Sequence, residues 1–227
     1  ERDFPMQSFD DLHAMAASRK GGTKALEALI PMPRTPAALE RIADDRWLSA
    51  IAKGVFRAGF NWRVVENKWP GTEEVFEGFN PVWLAMQPDE ELERFIRDQR
   101  IIRHWKKVKA IRSNAQYLVD LAEEYGSAAR YFARFPSEAY IELLADMKSR
   151  GAFLGGVTGQ YVLREMGKDS FILSRDVVAA LSREKVFDGS PGSKRSMKSI
   201  QAAFNDWVVD GGQSLTRVSR VLAFTVG

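Results

Sequence analysis

The chain has 227 residues, 45% hydrophobic and 28% charged, which suits one large domain or two closely packed subdomains rather than a disordered chain. It has no cysteine and two histidines, His13 and His104, which excludes disulfides, iron–sulfur clusters and thiolate zinc sites and argues against Cys–His or Ser–His nucleophiles. The net charge of +3 and pI near 9.1 point weakly to a polyanionic partner, and carboxylate-based chemistry is expected.

Helical periodicity dominates the pattern. Residues 1–35 carry no assignable signal. Thr35 caps a short helix from Pro36 to Ile42, with Pro36 in its first position. Arg46 to Val65 reads as a long apolar helix around Trp47, Leu48, Ile51, Val55 and Phe56, interrupted at Gly59. Thr72 caps another. Pro81 to Met86 is short, and Pro88-Asp89-Glu90-Glu91 opens a helix with acids in its first turn, as the helix dipole favours. Lys106 to Tyr125 is long and amphipathic, and Pro136-Ser137-Glu138 opens a helix reaching Lys148. Gly151, Gly155, Gly156 and Gly159 mark a tight turn into Gln160–Met166. Ser174 caps Arg175–Ser182, a loop follows to Lys194, and helices near Ser196–Val209 and Ser214–Phe224 close the chain. Phe171-Ile172-Leu173 is too short to build a sheet. The expected fold is all-α, with about ten helices.

No apolar run reaches the length of a membrane span, and no apolar stretch follows Glu1-Arg2-Asp3-Phe4 as in a signal peptide. A cytoplasmic protein is expected, with no membrane partner. Between residues 94 and 112 lie Arg94, Arg97, Arg100, Arg103, Lys106, Lys107, Lys109 and Arg112 against one acid, Asp98. Such a run is either a solvated helix face or a polyanion-binding stripe. Lys194, Arg195 and Lys198 form a second basic group.

The segment Phe153-Leu154-Gly155-Gly156-Val157-Thr158-Gly159-Gln160-Tyr161-Val162 joins two helices. It is either a turn with glycine caps or a nest of backbone N–H groups that cradles phosphate. Further on, Asp169-Ser170-Phe171-Ile172-Leu173-Ser174-Arg175-Asp176 runs an extended piece into a helix whose first turn carries Asp176. In isolation Asp176 is a dipole-compensating acid.

Ala58-Gly59-Phe60-Asn61-Trp62, Phe79-Asn80-Pro81, Ala85-Met86 and Ile101-Ile102-Arg103-His104 leading into Lys107-Val108-Lys109-Ala110-Ile111 resemble bacterial 3-methyladenine DNA glycosylase I. The likeness continues through Lys148–Met166. From Leu154 onward the chain resembles the wider helix-hairpin-helix glycosylase superfamily, and Ile200 through Trp207 to Arg220 resembles the terminal helices of alkylbase glycosylases. The chain departs from the first family in two ways. Arg175–Ala180 stands where zinc-binding His and Cys would sit, and the family's pocket glutamate falls at Gly54.

The resemblance implies one glycosylase domain over residues 1–227. Its hairpin-containing subdomain would span about 80–180, with about 36–79 and 181–227 packing together as the other. It implies a monomer acting on double-stranded DNA that contains a damaged base. It also implies a monofunctional enzyme of base excision repair that hydrolyses the N-glycosidic bond of a flipped, alkylated, 3-methyladenine-like base, with Asp176 as the catalytic carboxylate. Trp62, Phe60, Asn61 and Tyr161 would form the base pocket, although Trp62 also fits core packing. Gly156, Thr158, Gly159 and Gln160, with Arg103, Lys106 and Lys107, would contact DNA. His104 fits a buried structural role as well as a DNA contact. Bifunctional relatives carry a hairpin lysine where this chain has Gln160, and an amide cannot form a Schiff base, so no lyase step is expected. No zinc or iron–sulfur cofactor is implied; a monovalent cation could sit on the hairpin carbonyls. The alternatives are a catalytically degenerate module that binds damaged DNA, and a helical protein-interaction domain unrelated to DNA.

Overall fold

The computed structural model describes residues 6–226, so the opening Glu1-Arg2-Asp3-Phe4 lies outside the described residues. Fourteen α-helices and no strand occur among them. They are α1 (Phe9–Lys20), α2 (Thr23–Glu27), α3 (Pro36–Glu40), α4 (Asp44–Arg57), α5 (Trp62–Val75), α6 (Pro81–Ala85), α7 (Asp89–Phe95), α8 (Trp105–Tyr125), α9 (Ala128–Arg134), α10 (Tyr140–Arg150), α11 (Thr158–Met166), α12 (Arg175–Arg183), α13 (Lys194–Trp207) and α14 (Leu215–Phe224). No described helix is long and apolar enough to cross a membrane.

Capping chemistry sets most of the starts. Side chains of Ser8, Thr35, Asn61, Asn80, Ser127, Ser174, Ser193 and Ser214 each accept from a backbone N–H two or three residues on. Two expected boundaries move. The helix expected over Arg46–Val65 is two helices, because Asn61 caps a new one at Trp62. Thr72, expected to cap, lies inside α5, where its hydroxyl donates to the Lys68 carbonyl at 2.8 Å.

The described residues form two compact units. One contains residues 6–34, 136–142 and 167–226; the other contains 35–135 and 143–166. This differs from the sequence expectation. Residues 36–79 belong with the hairpin, because α4 packs on both α8 and α11.

In the first unit, Phe171 stacks on Phe204 at 4.4 Å and meets Tyr140 edge-on. The N-terminal segment, without assignment from sequence, packs here: α1 lies on α14, and Glu27 accepts from Arg217 and pairs with His13 at 2.7 Å. In the second unit, Trp47 stacks on Phe132 at 4.6 Å, with Tyr117 edge-on to the same ring.

Candidate functional site

In the second unit α4, α5 and α11 enclose a cleft of about 550 Å³. Its floor exists because residue 54 is glycine. A Cβ built there would lie 2.4 Å from the Val162 Cγ2, so the bare backbone lets α11 close on α4. Trp62 opens α5 and is 50% exposed, so it is not a core tryptophan. Tyr161 lies edge-on to it, with ring centroids 5.7 Å apart and planes at 88°. The lining is otherwise largely apolar, from Ala58, Val157, Thr158 and Val162, with Arg57, Arg164 and Glu165 as its charged members.

The Arg57 guanidinium sits 4.9 Å from the Trp62 ring centre and donates to both Glu66 and Glu165. Lys53 takes the other Glu66 oxygen at 3.1 Å. The Arg57 hydrogen bond holds the Glu66 carboxyl below its ordinary range. Burial pulls the Arg57 pKa down, and its carboxylate partners more than offset this.

The other two expected pocket residues do different work. Asn61 caps α5, accepting from the Arg63 N–H at 2.9 Å. Phe60 stacks near Phe56 and meets the His104 ring edge-on at 5.8 Å. His104 itself caps α8 by accepting from the Lys107 N–H at 3.3 Å, which favours its structural role.

The hairpin runs from Arg150 to Thr158 and is clamped from α8. Asn114 is fully buried; its amide donates to the Ala152 carbonyl at 3.1 Å and accepts from the Ala152 N–H at 2.7 Å. Gly156 takes a φ of +60°, and a Cβ on Gly159 would press within 2.9 Å of the Leu154 carbonyl oxygen. Gly156 is exposed, and Thr158 opens α11, at whose N-terminal end an α-helix directs its first N–H groups outward.

Two residues expected at DNA point inward. Gln160 is 3% exposed, and its amide donates to the Gly156 carbonyl at 3.2 Å, bracing the turn from within. Lys107 is 8% exposed; its ammonium donates to the Val55 carbonyl at 2.5 Å, at the C-terminal end of α4. Burial lowers its pKa. The basic run is also less concentrated than its sequence suggests. Asp89 pairs with Arg112 at 2.6 Å and Lys109 at 3.6 Å, Glu91 with Arg94 at 2.7 Å, and Asp98 and Glu74 with Arg100. Arg103 and Lys106 stay exposed, with no acidic partner among the described residues.

Asp176 belongs to the first unit. Residues 170–174 form no helix and are held on α14, where Thr216 accepts from the Ser170 N–H at 3.2 Å and Ser219 from the Ile172 N–H at 3.1 Å. Asp169 fixes the start of α14 by accepting from the Leu215 and Thr216 N–H groups at 3.1 and 2.8 Å. Ser174 then caps α12, setting Asp176 in its first turn. The Asp176 side chain is 33% exposed and, among the described residues, pairs only with the exposed Arg175, at 3.2 Å.

A methyladenine glycosylase family model matches residues 41–153. Over that stretch the chain is similar to the methyladenine glycosylase family. DNA-3-methyladenine glycosylase 1 of Escherichia coli (strain K12) is 34% identical over 67 residues, 30% of this chain and 36% of that protein, so the match spans about a third of the curated relative. A structure of 3-methyladenine DNA glycosylase I from Staphylococcus aureus, described in terms of 3-methyladenine recognition, superposes with a TM-score of 0.50 at 25% identity, covering 55% of this chain and 77% of that one. A second crystal structure of 3-methyladenine DNA glycosylase I gives a TM-score of 0.49 at 23% identity, covering 64% and 87%. The matched family region holds α4, Trp62 and the basic run, whereas Asp176 lies beyond it.

Sequence reasoning missed Arg57, Glu165 and Asn114. A signal for the first two was present. Gly54 and Arg57 share one face of α4 with Ala58 just beyond its end, and Tyr161 and Glu165 lie one turn apart on α11.

Proposed function

We propose that the protein is a monofunctional DNA glycosylase of base excision repair that acts on an alkylated, 3-methyladenine-like base. The observation that carries this reading is the half-exposed Trp62, edge-on to Tyr161, in an apolar cleft that opens beside a glycine hairpin. A base inside a duplex is out of reach of any active site, so the nucleotide must leave the stack and enter a pocket with an aromatic wall. Trp62 and Tyr161 supply such a wall. Exposed Gly156, the first N–H groups of α11, and Arg103 and Lys106 would hold phosphates and position the duplex without reading sequence.

The nucleoside of an alkylated purine is already a cation. When its N-glycosidic bond breaks, both electrons stay with the base, which departs neutral, and positive charge passes to the sugar. Asp176 is assigned to stabilise that charge and to take a proton from the attacking water, whose oxygen bonds to the sugar carbon. Its part-exposed carboxylate, engaged among the described residues only by Arg175, retains acceptor capacity for this role. With Gln160 in place of an amine nucleophile, the product is an abasic site in an intact strand. No resident metal enters the scheme.

A second reading, a binding module without chemistry, draws on Gly54, where the resemblance led us to expect a carboxylate. Release of free base from duplexes carrying 3-methyladenine, 7-methylguanine, hypoxanthine or uracil separates the two. The enzyme frees at least the alkylated bases; the module binds every duplex and frees none.

A further inference from the structure

We propose that Glu165 is the base-reading carboxylate of the cleft, and that it selects purines carrying the delocalised positive charge of N3- or N7-alkylation over neutral purines. This rests on the cleft being the base pocket. Glu165 is the one carboxylate that lines it. The residue lies one turn beyond Tyr161 on α11, and its side chain is 41% exposed, so the group faces a wet, open wall.

Its geometry leaves one oxygen available. Arg57 donates to Oε2 of Glu165 and, through its other terminal nitrogen, to Glu66. Both Glu66 oxygens are taken, by Arg57 and by Lys53. Glu165 Oε1 has no partner among the described residues. Arg57 is itself fixed by stacking on Trp62, so the free oxygen is held beside the aromatic wall rather than swinging on a loose side chain. An oxygen so placed accepts from an exocyclic amine and offsets a ring cation, whereas Arg57 and Arg164 would favour the carbonyl edges of a neutral base.

The test uses the full chain and two nucleosides that differ by one methyl group and its charge, 7-methylguanosine and guanosine. Binding is read by fluorescence quenching at mildly acidic pH, where 7-methylguanosine is a cation, with Trp62→Phe identifying the signal from the cleft. The expected result is a preference for 7-methylguanosine of about tenfold, the scale of one hydrogen bond to a charged group. Glu165→Gln should abolish that preference and Glu165→Asp keep part of it, with thermal melting of each variant confirming the fold. Equal binding of the two nucleosides, binding of neither, or a preference that survives Glu165→Gln would overturn the assignment. A Glu165-dependent preference in a protein that frees no base from any duplex would instead retain the assignment and refute the glycosylase reading.

Discussion

Replacing Gly54 by alanine tests why this cleft lacks a carboxylate on α4. The new methyl would sit 2.4 Å from the Val162 Cγ2, more than an ångström inside ordinary carbon–carbon contact. Val162 is buried and β-branched, so it cannot rotate away cheaply. Overpacking of this kind costs about 1–3 kcal/mol, and the better helix propensity of alanine returns about 1 kcal/mol. The net loss should be about 0–2 kcal/mol, a drop of up to roughly 8 °C in melting temperature for a chain of this size. Val162→Ala alone should cost about 1.6 kcal/mol for two lost methyl groups. If the contact is the cause, the double variant is less destabilised than the sum of the singles by about 1 kcal/mol or more. Thermal melts of the four proteins measure this. Additive effects, or a Gly54→Ala protein more stable than the parent, would refute the close-approach explanation, and a glutamate could then be accommodated on α4.

Lys107→Met should destabilise the protein by about 1–3 kcal/mol by removing the charged donor from the Val55 carbonyl, yet leave the salt dependence of DNA binding unchanged. Lys106→Ala should do the opposite, reducing the slope of log affinity against log salt by about 0.9. Glu27, hydrogen-bonded by Arg217, has its carboxyl lowered from 4.5 to about 2. A lowered folded pKa means stability present above 4.5 and lost as the pH falls toward about 2. Glu27→Gln should therefore flatten the pH dependence of the melting temperature in that window. Borohydride treatment of an enzyme–DNA mixture should trap no covalent adduct; a trapped adduct would mean that an amine elsewhere forms a Schiff base.

The helices were legible because capping residues and apolar spacing are local signals. Ser174 and Thr35 cap where the sequence places them. What failed depends on partners distant in sequence. Lys107 reads as one more surface cation until the end of α4 comes within reach of its ammonium. The basic run reads as a stripe until Asp89, Glu91 and Glu74 are folded against it. Gln160 occupies a hairpin position where relatives carry a lysine, but its inward bond to Gly156 depends on the turn conformation. The close approach of α11 to α4 depends on the absence of one side chain at Gly54, which no periodicity records. Glu165 is one glutamate among many until Arg57 fixes it on the cleft wall.

The most direct test of the central claim is single-turnover release of 3-methyladenine from a duplex by the parent protein and by Asp176→Asn, with DNA affinity measured alongside. The account predicts that the parent frees the base while Asp176→Asn binds the duplex with nearly unchanged affinity and frees essentially none. A fully active Asp176→Asn protein would contradict it.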